Sequence, residues 1–230
     1  MRQIIAIGGG GFSTEPDNLA LEHYVLAQTG KKTPKVCFVP TASGDSQDYI
    51  DRFYAAFGKL DCEPSHQPLF QSPPRDIPQF LLSQDAIYVG GGNTKNMLAI
   101  WRAWGLDEVL RTAWERGIVL CGISAGALCW FDAGVTDSIP GDYTPLRALG
   151  FLQGSFSPHY DSKPERRPAF HKMIFEGALG AGIAADDGVA VHYVERQISR
   201  IVRSHDGPAA YRVELTHGEI LERRLRAETL

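Results

Sequence analysis

The stretch that decides the fold runs from residue 117 to residue 127 and reads Gly-Ile-Val-Leu-Cys-Gly-Ile-Ser-Ala-Gly-Ala. Its apolar part, residues 118–121, is uninterrupted, as is typical of a strand that is covered on both faces in a parallel sheet. The strand leads into a G-x-S-x-G pattern around Ser124, and helical spacing follows over residues 125–131. This order predicts a sharp strand-to-helix turn, whose small residues let the backbone bend and hold the Ser124 hydroxyl at the sheet rim.

Outward from this turn, short apolar segments alternate with segments of helical spacing through the first half of the chain. The predicted strands cover residues 3–7, 35–39, 68–70, 85–89 and 118–121, and the predicted helices cover residues 18–27, 45–60, 93–104 and 106–116. Such alternation predicts an α/β fold of three layers, with a mostly parallel sheet and helices on both faces. Strands run into glycine at Gly8, Gly90 and Gly122, so we expect these turns to open on one rim, where such sheets bind ligands.

The second half of the chain has a different pattern. Short strands are predicted over residues 189–193, 197–202 and 210–215, and alternation along the last of them indicates a half-exposed antiparallel meander. We therefore expect a C-terminal antiparallel extension of the sheet. A loop is predicted at Pro73-Pro74, but no segment has the composition of a linker, so residues 1–230 are expected to form a single domain.

Composition narrows the class of protein. The formal net charge of −4 disfavours nucleic acid and acidic membrane surfaces as partners, because both favour a basic surface. The four cysteines form no C-x-x-C pair, and Cys37, Cys121 and Cys129 lie in apolar surroundings typical of buried thiols. The N-terminal apolar run is too short for a signal peptide, and no stretch approaches the roughly 18 apolar residues of a membrane span. We expect a cytoplasmic protein, and no metal site or cofactor is predicted.

Ser124 has two interpretations. At the start of a helix, backbone N–H groups and the helix dipole favour negative charge, which suits the oxyanion of an acyl transfer to a serine nucleophile. Serine is also a favoured N-cap, and the alternative interpretation is that the residue serves only to begin the helix. The strand-turn-helix context favours the nucleophile over the cap.

A serine nucleophile needs a base, and His159 is the best placed of the seven histidines. It lies in Ser157-Pro-His-Tyr-Asp161, directly after an apolar segment where a strand would leave the sheet. A histidine that follows a proline at a strand end is well placed to face the rim. The alternative is a histidine tied to the loop backbone, and the sequence pattern alone leaves both interpretations open.

The acid that would orient this histidine is harder to choose. Asp186-Asp187-Gly188 lies between two apolar segments, so one of the two carboxylates is expected to turn inward, where it needs a cationic or N–H partner. An Asp-Gly pair is also common in tight turns for purely local reasons. From the pattern alone, the turn is the favoured interpretation.

Two glycine clusters, Gly8–Gly11 and Gly90–Gly92, follow predicted strands. Glycines at such places let the backbone approach a ligand and point N–H groups at it. The second cluster has no following Lys-Ser/Thr and is not a P-loop, while the first lacks a complete G-x-G-x-x-G. As donors to an oxyanion beside Ser124, residues 90–92 make chemical sense.

Together these segments resemble peptidase family S51, the serine peptidases that include aspartyl dipeptidase (peptidase E) and cyanophycinase. The matching pieces are, in chain order, Tyr88-Val-Gly-Gly-Gly-Asn-Thr94, Gly122-Ile-Ser-Ala-Gly-Ala127, Pro158-His-Tyr160 and Ala185-Asp-Asp-Gly188. They occur in the order and rough spacing of the family over most of the chain, and their combination is specific. The resemblance implies a fold like that of class I glutamine amidotransferases, with serine in place of their cysteine.

Residue by residue, the resemblance implies that Ser124 is the nucleophile and His159 the general base. The third member in peptidase E is a glutamate followed by glycine after an apolar strand. Asp187 stands in that place here, with one methylene fewer, so the local backbone must compensate. Asp137 resembles another position implicated in the family and is the reserve candidate, while Asp186 also stays open.

The resemblance further implies that the backbone N–H groups of Gly91 or Gly92 and of Ala125 form the oxyanion hole. Asn93 is expected to contact substrate. Aspartyl dipeptidases hold the N-terminal Asp side chain with an arginine downstream of the histidine, and Arg167 is the closest match; a guanidinium binds a carboxylate through two parallel hydrogen bonds. A solvated helix N-terminus is the alternative for this segment.

The activity that follows is that of a serine peptidase of the dipeptidase type, acting on short peptides through an acyl-enzyme, with a preference for N-terminal Asp left open. The alternatives are a hydrolase of the same fold acting on other amides or esters, and a non-catalytic nucleotide-binding module built on the two glycine clusters. The expected partner is a small peptide substrate, and a homodimer is left open.

Overall fold

The computed structural model of the chain describes residues 1–71 and 76–230, and the loop predicted at Pro73-Pro74 lies outside the described residues. The strands are β1 (Gln3–Ile7), β2 (Lys35–Val39), β3 (Glu63–His66), β4 (Ala86–Val89), β5 (Val119–Ile123), β6 (Phe131–Thr136), β7 (Thr144–Arg147), β8 (Leu152–Ser157), β9 (Gly182–Ala185), β10 (Val189–Val194), β11 (Gln197–Arg203), β12 (Ala210–Thr216), β13 (Glu219–Leu225) and β14 (Glu228–Thr229). The helices are α1 (Ala20–Ala27), α2 (Gln47–Phe57), α3 (Ile77–Leu81), α4 (Thr94–Trp104), α5 (Leu106–Glu115), α6 (Ala125–Leu128) and α7 (Arg166–Phe175).

The larger sheet has the order β14-β11-β10-β1-β5-β4-β2-β3. Its strands β1, β5, β4, β2 and β3 are parallel, whereas β10 is antiparallel to β1 and β11 is antiparallel to β10. The expectation of a mostly parallel sheet with a C-terminal antiparallel addition is therefore confirmed. The pairing of β1 with β5 also aligns Ile7 with Ile123, so Gly8 and Ser124 leave the sheet at the same level.

Helices cover both faces of this sheet, as predicted. Alternate residues of β1 belong to different hydrophobic clusters: Ile4 packs on one face and Ile5 on the other. The first face is covered by α4 and α5, which contribute Trp101 and Trp114, and the second by α1 and α2, which contribute residues such as Phe53. Strands that are buried on both sides need apolar residues at every position, which explains their uninterrupted apolar sequences.

The sequence interpretation did not foresee a second sheet, with the order β13-β12-β9-β8-β6-β7. Its pairs β6–β8 and β8–β9 are parallel, and its other pairs are antiparallel. The helix predicted over 125–131 is wrong at its end, because α6 stops at Leu128 and β6 begins at Phe131. The ring of Phe131 stacks on Phe156 of β8 at 4.8 Å, so pairing between these strands overrides the local helical spacing.

Two further expectations need correction. The strand predicted over 68–70 is absent, and the edge strand of the large sheet is instead the polar segment Glu63–His66, which pairs with β2. The C-terminal meander is divided between the sheets: β10 and β11 join the large sheet, whereas β12 pairs with β9 and β13 in the second.

The prediction of buried thiols is confirmed, since Cys37, Cys121 and Cys129 are buried. Over residues 1–71 and 76–230, none of the helices combines the length and the apolar character that a membrane span requires.

Candidate active site

Ser124 stands at the bend between β5 and α6, with φ = 56° and ψ = −111°, a conformation that L-residues rarely adopt. Its N–H donates to the carbonyl of Ile7 at 3.0 Å, which fixes the bend to the neighbouring strand. A Cβ atom on Gly122 would overlap the carbonyl of Gly126, and one on Gly126 would overlap the carbonyl of Val89. Both glycines of the G-x-S-x-G pattern are therefore required by close backbone packing.

Ser124 occupies the N-cap position of α6, but its side chain makes no capping hydrogen bond, so the expectation that the side chain serves only to cap the helix is wrong. The hydroxyl instead lies 2.8 Å from Nε2 of His159. Only the carbonyl of Ser124 serves the helix, accepting from the N–H groups of Ala127 and Leu128. The side chain is thus left for interactions at the rim.

His159 follows the end of β8 and has a left-handed backbone, with φ = 52°. Its N–H donates to the carbonyl of Gly8 at 3.3 Å, and the next N–H, that of Tyr160, donates to the carbonyl of Ala185 at 3.2 Å. The histidine is therefore both tied to loop backbone and turned towards Ser124. It joins the end of the second sheet to the rim of the large one.

Asp187 follows β9, and its Oδ1 lies 2.6 Å from Nδ1 of His159. Its own N–H donates to the carboxylate of Asp161 at 2.9 Å, which orients the backbone at this position. A Cβ atom on Gly9 would overlap the Asp187 carboxylate and would lie 2.6 Å from His159 Nδ1. The first glycine cluster thus makes room for the His–Asp pair.

The charge state of Asp187 follows from its surroundings. Burial disfavours the charged carboxylate, but the hydrogen bonds from His159 and Ser162 and the positive charge of Lys163 outweigh it, so the pKa of Asp187 is lowered. An ionised carboxylate only accepts hydrogen bonds, so Nδ1 of a neutral His159 must carry the proton. Nε2 is then the free lone pair that accepts from the Ser124 hydroxyl.

The other two acid candidates do not contact His159. The Asp186 carboxylate is turned away into the protein, where it accepts from the N–H of Ala209 at 2.8 Å, and burial raises its pKa to about 6. Asp137 pairs with Lys163 at 2.6 Å and with Arg166 at 3.1 Å. Burial opposes the ionisation of Asp137, but these two cations outweigh it and lower its pKa.

The second glycine cluster lies beside the serine, since a Cβ atom on Gly91 would be 3.3 Å from the Cβ of Ser124. The N–H of Gly91 already donates to the hydroxyl of Tyr49, at 3.2 Å. Within the described residues, the N–H groups of Gly92 and Ala125 donate to no acceptor. Two of the three predicted oxyanion donors are thus available in this arrangement, and the third is engaged.

The two residues predicted to bind substrate have partners of their own. Asn93 is the N-cap of α4, and its amide also donates to the carbonyl of Ser138 at 3.0 Å. The guanidinium of Arg167 packs against the neighbouring rings of Tyr160 and Tyr211, 4.6 and 4.9 Å from their centroids, and its side chain is 42% exposed. Both substrate contacts stay predictions.

The first glycine cluster forms no open cradle of the kind that a nucleotide-binding module would need. The space beside Gly9 holds Asp187, and the space beside Gly11 holds the buried carboxylate of Glu22. Glu22 also accepts from the N–H of Phe12 at 2.9 Å. In the described parts of the chain, no group of three or more His, Cys, Asp or Glu side chains is arranged to hold a metal ion.

Sequence reasoning missed Tyr49 and Gly9, which contact the candidate site without being part of a motif. Tyr49 lies on the apolar face of α2, where an aromatic residue is typical of core packing. Gly9 belongs to a glycine run that reads as a ligand loop. Neither position carries a sequence signal that separates its contact with the site from these ordinary roles.

Known proteins with sequences similar to this chain are peptidases by name. Residues 4–201 match the description Peptidase family S51. A Bacillus subtilis (strain 168) protein named uncharacterized peptidase YgaJ is 57% identical over 222 residues, which cover 96% of this chain and 96% of that protein. Peptidase E of Streptomyces coelicolor (strain ATCC BAA-471 / A3(2) / M145) is 29% identical over 157 residues, which cover 64% of this chain and 61% of that protein.

Two solved structures have a similar fold. The crystal structure of a peptidase from an acI-B1 Actinobacterium has a TM-score of 0.72 at 18% identity, covering 99% of this chain and 95% of that one. A putative peptidase E from Listeria monocytogenes EGD-e has a TM-score of 0.58 at 19% identity, covering 98% of this chain and 100% of that one. At this identity the likeness concerns the fold alone, and it agrees with the predicted α/β class.

Proposed function

The chain belongs to peptidase family S51, and from that premise we propose that it is a serine peptidase that cleaves short peptides through an acyl-enzyme. The observation that carries the proposal is the linear hydrogen-bonded series from Ser124 Oγ to His159 Nε2, at 2.8 Å, and from His159 Nδ1 to Asp187 Oδ1, at 2.6 Å. Nucleophile, base and orienting acid within hydrogen-bond reach of one another are what acyl transfer to serine requires.

In the proposed acylation, Ser124 Oγ attacks the scissile carbonyl while Nε2 of His159 takes the hydroxyl proton. The imidazolium that forms is stabilised by Asp187, whose low pKa keeps it anionic. The carbonyl oxygen becomes an oxyanion and is bound by backbone N–H groups at the start of α6 and in the second glycine cluster. His159 then gives its proton to the departing amine, and the acyl group stays on Ser124.

Deacylation repeats these steps with water. His159 takes a proton from a water molecule as the water oxygen attacks the acyl carbonyl. The same N–H groups bind the second oxyanion. When this intermediate collapses, the proton returns to Ser124 Oγ and the carboxylic acid product leaves. The net reaction is hydrolysis of one amide bond, and it consumes one water molecule.

For the substrate, we propose a dipeptidase-like action with a preference for an acidic N-terminal residue. The support is Arg167, whose half-exposed guanidinium packs against two neighbouring tyrosine rings, one of them that of Tyr160, the neighbour of His159. A fixed guanidinium is suited to a carboxylate, and little side-chain entropy is lost when it binds one. We also propose a cytoplasmic location, since the thiols of Cys62, Cys121 and Cys129 are free, as is usual in reducing compartments.

The proposed function is tested by labelling the purified protein with a fluorophosphonate and locating the modified residue by mass spectrometry. Labelling is expected at Ser124 and is expected to disappear in Ser124→Ala. The matched control is Ser157→Ala, which removes a buried serine hydroxyl that has no hydrogen-bond partner among the described residues; this variant should label like the wild type.

A dipeptide library then defines the substrate. We expect hydrolysis of Asp-X dipeptides with a higher kcat/KM than Ala-X dipeptides. An absence of labelling together with an absence of dipeptide hydrolysis would overturn the proposal, while labelling without dipeptide hydrolysis would favour a hydrolase of other amides or esters.

A further inference from the structure

Tyr49 connects the two glycine-rich turns that flank the candidate site. It lies on the buried face of α2 and is 5% exposed. Its hydroxyl accepts the N–H of Gly91 at 3.2 Å, and Gly91 is the residue that packs against Ser124. Burial raises the pKa of Tyr49, so its hydroxyl accepts this hydrogen bond as a neutral phenol.

The ring of Tyr49 is held by the loop that follows the first glycine cluster. Phe12 lies 5.6 Å from it, centroid to centroid, and Phe38 contacts it edge-on at 5.1 Å. The guanidinium of Arg52 covers the ring at 5.2 Å and also donates to the carbonyl of Ser13 at 3.0 Å. A phenol fixed on so many sides offers its oxygen to Gly91 at one defined place.

This hydrogen bond decides which N–H of the second glycine cluster remains available. The N–H of Gly91 is engaged, whereas those of Gly92 and Ala125 donate to no acceptor within the described residues. Gly92 has φ = 137°, and a Cβ atom there would overlap the carbonyl of Ala42, so the turn is confined on its other side. Gly92 is exposed, so water can bind its N–H, whereas Ala125 is 2% exposed and its buried N–H lacks an acceptor within the described residues, which is costly unless a ligand supplies one.

We propose that Tyr49 is a positioning residue of the oxyanion hole. By holding the Gly91 N–H, its hydroxyl fixes the turn so that the N–H groups of Gly92 and Ala125, and not that of Gly91, bind the oxyanion that forms on Ser124. This inference rests on the proposed serine peptidase activity and deepens it. Tyr49 touches neither the substrate nor the reacting atoms; it acts through Gly91.

The test is the variant Tyr49→Phe, which keeps the ring and removes the hydroxyl. Its matched control is Tyr88→Phe, because Tyr88 lies in the same aromatic cluster and its buried hydroxyl has no hydrogen-bond partner in the part of the chain that the structure describes. Loss of a whole oxyanion donor typically lowers kcat by about 10²- to 10³-fold, so a misplaced donor is expected to cost about 10-fold. We expect that fall in kcat for Tyr49→Phe, with KM unchanged, and kinetics like those of the wild type for Tyr88→Phe.

A purely structural role would not separate kcat from KM, and it would not act selectively on a tetrahedral adduct. An α-aminoalkylboronic acid forms such an adduct with the serine oxygen. Its affinity for Tyr49→Phe should fall by the same factor as kcat, while the affinity for the amine product is unchanged. Equal kcat in Tyr49→Phe and Tyr88→Phe would overturn the inference, and so would a higher kcat, which would mean that Tyr49 withholds a useful donor.

A second measurement uses the wild-type protein and needs no variant to fold. Amide signals of residues 91, 92 and 125 are followed by NMR with and without the boronic acid. The amides of Gly92 and Ala125 should shift and become protected from exchange when the adduct forms, while that of Gly91 is protected in both states. New protection at Gly91 alone would overturn the assignment. Failure of the proposed function is recognised separately, because the wild type would then neither hydrolyse dipeptides nor react with the boronic acid.

Discussion

Two clusters of the same kinds of side chain lie on either side of one peptide bond, that between His159 and Tyr160. In the first, a hydroxyl, an imidazole and a carboxylate form a line, with Ser124 on Nε2 of His159 and Asp187 on Nδ1. The second also holds a hydroxyl, an imidazole and a carboxylate, from Tyr160, His171 and Glu222 of β13.

The second cluster is a triangle and not a line. Nε2 of His171 contacts both the Tyr160 hydroxyl, at 3.0 Å, and Glu222 Oε2, at 2.9 Å, while that hydroxyl donates directly to the same carboxylate oxygen at 2.6 Å. Nε2 of His171 cannot transfer a proton between the Tyr160 hydroxyl and Glu222, because these two groups are already hydrogen-bonded to each other. The difference supports the proposed role of the first cluster only, because acyl transfer needs a histidine that contacts the nucleophile and the acid through opposite ring nitrogens, and residue types alone do not provide this.

The largest effect should come from deleting the hydroxyl at the end of the line. Ser124→Ala is expected to lower kcat/KM for an Ala-X dipeptide by about 10⁴-fold or more, because no other group can carry the acyl intermediate. In the triangle, Tyr160→Phe also removes a hydroxyl and should cost less than about 10-fold, since no reacting atom is lost. Steady-state kinetics on both variants, with circular dichroism to confirm folding, make the comparison. Comparable losses would contradict the distinction between the clusters.

The next largest effect identifies the acid. Asp187→Asn should lower kcat by about 10³-fold or more, because the amide cannot hold His159 in the tautomer that leaves Nε2 free. Asp186→Asn and Asp137→Asn keep the His159–Asp187 contact and should each lower kcat by less than about 10-fold. The three variants are compared by kcat at pH 7.5. A larger loss at Asp137→Asn would move the orienting acid to that residue.

The residues of the first cluster could be named from the sequence because part of the signal is local, whereas the triangle of Tyr160, His171 and Glu222 was not predicted. The bend at Ser124 is imposed by its immediate neighbours, since Gly122 and Gly126 each contact backbone where no Cβ fits. Uninterrupted apolar segments such as 118–121 specify strands covered on both faces. The resemblance to peptidase family S51, which rests on the order of the motifs, then implied that His159 and Asp187 act with Ser124. The local sequence pattern alone favoured an ordinary turn at Asp187.

What the sequence did not predict depends on pairing between distant segments. Strand β6 contains Asp132 and Gly134 and has little strand character of its own, and it forms because β7 and β8 pair with it. The second sheet therefore left no strong local signal. The contact of the Tyr49 hydroxyl with Gly91 is equally non-local, because burial of a tyrosine on a helix does not say where its oxygen points.

A smaller effect is predicted on substrate preference, and it is tested by substituting the charged residues Arg167 and Glu222. Arg167 lies 3.5 Å from Glu222, so this carboxylate competes with an acidic substrate for the guanidinium. Arg167→Ala should raise KM for Asp-X about 10-fold relative to Ala-X, because the bidentate contact is lost. Glu222→Gln should act in the opposite direction and lower KM for Asp-X. If KM for the two substrates moves together in both variants, Arg167 does not bind the N-terminal side chain.

The smallest predicted effect is on thermal stability, and it distinguishes the adjacent carboxyl groups of Asp186 and Asp187. Burial raises the folded-state pKa of Asp186 from 3.8 to about 6, so the folded protein binds the extra proton and loses stability as pH rises from about 4 to 6. The pKa of Asp187 is lowered, so this residue adds stability above pH 4 that is lost as pH falls below it. Relative to the wild type, the thermal midpoint of Asp186→Asn should therefore rise by a few °C between pH 4 and 7, whereas that of Asp187→Asn should fall between pH 3 and 5. Thermal midpoints measured from pH 3 to 8 test both directions. If the midpoints of the two variants depend on pH in the same way, the two carboxyl groups share one environment, which would contradict their opposite pKa shifts.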